Sequence, residues 1–166
     1  FYLNDLKAAA VDSDFAGDRG EGITGKCLVM ITPDAERSMN TFLGISETLC
    51  EKNLNLEALS NSAYMYMEGY LVTSDTGRAA AVKARQHAEK NGVKTAISLS
   101  DPGMVQFFKD GLKEMIGAKV DLVFCNKEEA LGWAETEDLE TAIAELKQPF
   151  KKVEPKVEKS NFYTLS

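Results

Sequence analysis

The sequence predicts an α/β fold whose central parallel sheet carries helices on both faces, giving three layers. Two observations carry that prediction. Beyond residue 60, apolar stretches of strand length alternate with amphipathic stretches of helix length: "AYMYMEGYL", "DTGRAAAVKARQHAEKNG", "VKTAISLS", "DPGMVQFFKDGLKEMIGA", "VDLVFC". The strand segments are also near-continuously apolar, the pattern of a parallel sheet covered on both sides.

The elements follow in order. Residues Leu3 to Val11 form a short amphipathic helix, and the polar loop "DSDFAGDRGEG" follows. Lys26 to Thr32 and Arg37 to Leu43 are extended and joined by Pro-Asp-Ala-Glu, a turn with proline in its second position, so a hairpin is expected. Leu54 to Ser60 is a short helix begun by Asn53 or Asn55. The strand over Tyr64 to Met67 ends near Glu68-Gly69, its alternating tyrosines and methionines reading as a buried strand rather than an aromatic binding box. The next helix stops at Asn91-Gly92. Asp101 caps the following helix with Pro102 at its first position, and Val105, Phe108, Leu112, Met115 and Ile116 keep helical spacing. "KEEALGW" and "TEDLETAIAELK" supply two more helices. The segment 148–166 is lysine-rich, carries Pro149 and Pro155, and ends on "NFYTLS", which reads as the start of a strand. The chain opens without methionine inside a helical pattern, so a piece of a longer protein is expected.

Composition narrows the function. A net charge of −7 argues against a nucleic-acid surface, and no apolar run is long enough for a membrane span. Three widely spaced cysteines without a CxxC pair fit a reducing cytoplasm rather than disulfides or a zinc site. His87 is the single histidine, so histidine triads and HExxH sites lack material. It reads as solvent-facing beside Lys83 and Lys90, and Cys125 as buried strand filler.

Ligands of parallel sheets collect at the carboxyl ends of the strands. Three polar clusters are expected there: Glu68-Gly69, Ser100-Asp101-Pro102, and Asn126 with Glu129. Gly20, Gly25 and Lys26 satisfy GxxxxGK, but Cys27 replaces the hydroxyl that binds magnesium. The loop also enters a strand rather than a helix, so a phosphate-binding P-loop is rejected. Gly20, Gly22 and Gly25 fail as a dinucleotide fingerprint on the same context. Asn126 and Glu129, three residues apart at a strand-to-helix junction, suit either of two roles. They form a capping box, or they hold a hydrated magnesium ion that keeps most of its waters. Spacing alone favours the cap. Asp101 reads as a cap rather than a catalytic acid. Arg37, beside the hairpin turn, is either a solvated turn residue or a contact to an anionic ligand.

In order and separation, "GKCLVMITPDAERSMNTFLG", "YMEGYL", "LSDPG" and "VDLVFCNKEEA" resemble the ribokinase-like (PfkB) carbohydrate and nucleoside kinases. The likeness is strongest to the adenosine-kinase-like or general sugar-kinase branch and covers residues 1–147. The resemblance implies a ribokinase-like sandwich with a small β lid, here the hairpin of about residues 25–44 on an α/β core of about 54–147. The lid closes over substrate and mediates homodimers in some members. It implies transfer of the ATP γ-phosphoryl group to a hydroxyl of a sugar or nucleoside, with ATP and Mg2+ as cofactors. Asn126 and Glu129 match the Asn-x-x-Glu motif that places magnesium and phosphate, which tips their reading from cap to cofactor site. Arg37 is carried as a substrate-binding candidate. The family's catalytic aspartate lies in a Gly-Ala-Gly-Asp segment, and no such segment occurs in this sequence. No catalytic residue is therefore assigned, and the chain alone is expected to be inactive. The alternative is a non-catalytic interaction or regulatory domain that kept the kinase scaffold.

Overall fold

The structure is a computed structural model and describes residues 2–12, 21–34, 37–118, 120–147, 156–157 and 162–165. Helix α1 (Tyr2–Ala8) is shorter than its apolar pattern, because Ala10 turns into a left-handed conformation at φ 56°. Strands β1 (Lys26–Ile31) and β2 (Arg37–Phe42) pair antiparallel with Lys26 opposite Phe42 and Ile31 opposite Arg37. Ala35 and Glu36 of the expected turn lie outside the described residues, as do Gly20 of the glycine loop, Pro149 and Pro155. Every residue of the two strands is exposed, so the hairpin stands off the rest of the molecule. Short 3-10 turns at Gly44–Thr48 and Glu51–Asn53 lead to α2 (Leu56–Ser60), whose Asn55 side chain accepts from the Ala58 N–H at 3.0 Å.

The second sheet comprises β3 (Tyr64–Glu68), β4 (Lys94–Ser98), β5 (Leu122–Asn126), β6 (Lys156–Val157) and β7 (Phe162–Leu165), in the order β3-β4-β5-β7-β6. Strands β3, β4 and β5 are parallel, while β7 runs antiparallel to β5 and β6 antiparallel to β7. The residues 162–165 of "NFYTLS" are thus a strand. A 3-10 turn (Gly69–Thr73) and α3 (Asp75–Lys90) link β3 to β4, and α4 (Pro102–Ile116) links β4 to β5. Helices α5 (Lys127–Ala134) and α6 (Leu139–Leu146) follow β5.

Successive parallel strands joined by crossovers of one hand place their helices on one face. Met67, Ile97, Val123 and Cys125 point to that face and share one core with Leu112, Met115, Ile116, Trp133 and Leu146. Fully buried side chains such as Ile97 and Leu112 contribute about 1.5–3 kcal/mol each by leaving water. Asp121 fixes the entry of β5 against β4 by accepting from the buried Thr95 N–H at 2.9 Å.

Three expectations are corrected. Tyr66 is 52 % exposed and Tyr64 is equally open among the described residues, so the reading of the β3 tyrosines as buried is overturned, while the parallel α/β architecture holds. The apolar run could not reveal this, because an aromatic hydroxyl suits a wet face as well as a dry one. Phe108 sits at the rim of the core, since α4 breaks there at φ −128°, ψ 22° and turns the ring outward. His87 is half-buried and its Nε2 lies 2.7 Å from the Ser60 hydroxyl, which ties α3 to α2. Ser60 Oγ donates to the Leu56 carbonyl at 2.9 Å, so the imidazole is the donor in that pair.

Candidate functional site

The carboxyl ends of β3, β4 and β5 bring together Glu68, Ser98, Ser100, Asp101, Asn126 and Glu129. At the exit of β5, Asn126 is extended at φ −87°, ψ 178° and caps α5. Its side-chain oxygen accepts from the Glu129 N–H at 2.8 Å, and Glu129 Oε2 accepts from the Asn126 N–H at 3.0 Å. The capping box anticipated from the Asn-x-x-Glu spacing therefore forms, with both orphan donors satisfied. Asp101 likewise caps α4 by accepting from the Gly103 N–H at 2.7 Å.

Glu129 is 4 % exposed, and burial pushes its carboxyl above the usual range. The hydrogen bond from the Asn126 backbone opposes that rise, and the nearby Asp101 and Glu128 charges add to it. A buried, electron-rich carboxylate beside further acidic groups attracts positive charge. Only one of its oxygens is used by the cap. Oε1 has no hydrogen-bond partner among the described residues.

At the exits of β3 and β4 a second network forms. Ser100 Oγ donates to Glu68 Oε2 at 3.0 Å and accepts from the Gly69 N–H at 2.8 Å. Tyr66 donates to Glu68 Oε1 at 3.0 Å, and Tyr70 donates to the Ser100 carbonyl at 3.2 Å. Burial raises the Tyr70 hydroxyl first, then the charges of Asp101, Glu129 and Glu68, while Arg37 pulls it down. Arg37 opens β2, is exposed, and forms no ion pair among the described residues. Tyr66, Tyr70 and the Glu68–Ser100 bond were not legible as a unit, because their contacts join residues about thirty apart in sequence. The signal that was available is Gly69: a Cβ there would lie 2.6 Å from the Ser98 carbonyl oxygen, so the two strand exits touch.

The described residues contain no group of three or more His, Cys, Asp or Glu side chains that could enclose a metal ion, and magnesium usually takes only one or two carboxylates and keeps several waters. An ion held through its waters fits better, since Glu129 keeps a free oxygen and Asn126 a side-chain amide at the strand end. Cys125, beneath them, is 2 % exposed with its thiol pushed up to about 12 by burial and by Glu129, so it is filler rather than a nucleophile.

The chain resembles known proteins in sequence and in fold. The pattern of the pfkB family carbohydrate kinases matches residues 1–165. An adenosine kinase of Dictyostelium discoideum is 34% identical over 151 residues, covering 85% of this chain and 42% of that protein. The crystal structure of adenosine kinase from Sinorhizobium meliloti superposes with a TM-score of 0.83 at 32% identity, covering 91% of this chain and 46% of its own. A probable sugar kinase from Rhizobium etli CFN 42 gives 0.81 at 29% identity, covering 90% and 46%. The chain spans less than half the length of these relatives. On the family match and the two superpositions together, the chain belongs to the pfkB family of carbohydrate kinases and has the ribokinase-like α/β fold.

Proposed function

We propose that this chain is the lid and magnesium-side portion of a kinase that moves the γ-phosphoryl group of ATP to a hydroxyl of a nucleoside or sugar. The observation that supports the reading is the buried Asn126–Glu129 pair at the carboxyl edge of the parallel strands in a chain of this family. The adenosine kinases among its relatives favour a nucleoside substrate.

Bound magnesium and ATP would supply charge neutralisation and the transferring group. The chain's own contribution is positional. Asn126 and Glu129 lock the α5 terminus, and Glu129 presents one free carboxylate oxygen to the waters of the ion. Arg37, exposed at the start of β2, would supply a cation for an anionic group on the ligand. No Gly-Ala-Gly-Asp segment occurs in the sequence, so the proton acceptor for the substrate hydroxyl is not assigned to any residue here. The acidic net charge and the absence, among the described residues, of a helix long and apolar enough to cross a membrane accord with a cytoplasmic enzyme of small-molecule substrates. Exposed Leu28, Ile31 and Phe42 on the hairpin, with Ile31 at 70 %, support a homodimer formed through the lid. Sedimentation of the protein and its Ile31→Lys variant tests that contact, with loss of the dimer in the variant expected.

The function is tested by following ADP release from Mg·ATP, with the protein encoded by the longest reading frame around this chain, against adenosine and a panel of sugars. Release with adenosine that falls about tenfold or more in Arg37→Ala is expected, the size of one lost charge-assisted hydrogen bond. No release with any acceptor, together with no ATP·Mg binding by calorimetry, refutes it in favour of a non-catalytic domain on the same scaffold.

A further inference from the structure

We infer that Glu68 and Ser100 are a positioning pair that holds the exits of β3 and β4 as one rigid floor beneath Tyr70. Ser100 lies in the left-handed region at φ 72°, which a residue with a Cβ disfavours. Its polar groups show what the conformation achieves. The Ser100 N–H donates to Ser98 Oγ at 3.1 Å, its carbonyl accepts from Tyr70, and its hydroxyl is shared between Glu68 and the Gly69 N–H. One residue of the β4 exit therefore satisfies three groups of the β3 exit.

Glu68 is exposed, and a free glutamate there would sample many rotamers. Instead both carboxylate oxygens are occupied, Oε1 by Tyr66 and Oε2 by Ser100. Tyr66 is itself braced edge-on against Phe124 of β5, with ring centroids 5.9 Å apart. The chain of contacts thus runs across all three parallel strands, from β5 through β3 to the β4 turn. Gly69 permits it, since any Cβ there would also meet the Leu99 carbonyl oxygen at 2.8 Å. The Tyr70 ring, held at its hydroxyl by Ser100, follows directly after this locked glycine. Glu68 and Ser100 act through Tyr70 and the turn, so neither is a catalytic residue.

The inference rests on the proposed function only for the ligand that the floor serves, and adenosine is the probe for that. The test uses the full chain with Ser100→Gly, Glu68→Ala and Glu68→Gln. Amide exchange at Gly69, melting temperature and adenosine affinity are measured for each. Glycine suits the left-handed backbone but lacks the hydroxyl, so Ser100→Gly should melt no lower than the parent. Exchange at Gly69 should nevertheless rise about tenfold, the size of one lost hydrogen bond, and adenosine affinity should fall by a similar factor. Glu68→Ala should act in the same direction, and Glu68→Gln, which keeps groups for both hydroxyls, should restore most of the loss. Unchanged Gly69 exchange in Ser100→Gly overturns the inference, as does a Glu68→Ala effect spread equally over all amides with a lowered melting temperature. If the parent chain binds no adenosine, the proposed ligand is wrong for this chain, and the Gly69 exchange still decides the pair.

Discussion

Glu129→Gln separates the charge of Glu129 from its capping role. Glutamine keeps an oxygen that can accept the Asn126 N–H, as Oε2 now does at 3.0 Å, but it removes a carboxylate that is 4 % exposed. Burial raises this carboxyl above the ordinary glutamate value of 4.5, so the folded state binds the proton more tightly than the unfolded chain does. The sign follows from linkage. Well below that ordinary value the group is protonated in both states, and its burial carries no charge penalty. As pH rises through the raised folded value, the native state must hold an ionised carboxylate that the unfolded chain would solvate. Stability of the parent relative to Glu129→Gln therefore falls with rising pH and levels off once both states are ionised. Glu129→Ala differs in losing the acceptor, which costs about 1–2 kcal/mol through the cap and the stranded Asn126 N–H. In a chain of 166 residues each kcal/mol shifts the melting temperature by about 2–4 °C. Circular-dichroism melts of the three proteins from about pH 4.5 to about pH 8 give the difference curves. The glutamine variant should melt at or above the parent at the alkaline end, with the gap closing toward acid, and the alanine variant below the glutamine variant throughout. A flat difference curve, or a glutamine variant that loses stability as pH rises, refutes the burial argument.

Three further outcomes follow from close contacts and burial. Gly69→Ala should cost about 1–3 kcal/mol or more in chemical denaturation, because the new methyl meets backbone oxygens at 2.6 and 2.8 Å that cannot rotate away. Gly117 has φ 66° and its Cβ would lie 2.4 Å from Cζ of Arg85, so Gly117→Ala should cost a similar amount; combining it with Arg85→Ala should recover the clash but not the backbone strain, as a double-mutant cycle would show. Among the cysteines, exposed Cys27 should react readily with a thiol reagent in the native protein and Cys125 only on unfolding, because its thiol is buried and pushed up to about 12; counting modified thiols before and after denaturant checks this.

The parallel core was legible because its signals are local. Asp101-Pro102 caps, Asn91-Gly92 stops, and the apolar spacing of α4 each act within a few residues, and the structure shows these caps with their hydrogen bonds made. Burial on the two faces of β3 was not, since it depends on whether a helix lies opposite, which no residue of "AYMYMEGYL" encodes. Phe108 failed for a related reason: its spacing is helical, but the backbone breaks at that residue. The site divides along the same line. Asn126 and Glu129 are three apart and could be paired on paper, whereas Glu68 and Ser100 are thirty-two apart and meet only because β3 and β4 are neighbours.

Spacing set capping against magnesium placement for Asn126 and Glu129 as rival explanations, yet the geometry makes them compatible. A carboxylate has two oxygens and the cap consumes one, Oε2, on the Asn126 N–H. The same bond fixes the side chain's rotamer, so Oε1 is aimed without further loss of entropy when an ion's water arrives. A glutamate that did not cap would present both oxygens but in no set direction, and a glutamate exposed to water would attract a hydrated cation weakly. Helix α5 and its buried Glu129 thus make the cap a precondition of the proposed magnesium role. It follows that Asn126→Ala, which removes the acceptor of the Glu129 N–H but keeps the backbone N–H that holds Oε2, should cost about 1 kcal/mol of cap energy in thermal melts and leave Glu129 oriented, while Asn126→Ser, which can still accept the Glu129 N–H, should retain stability.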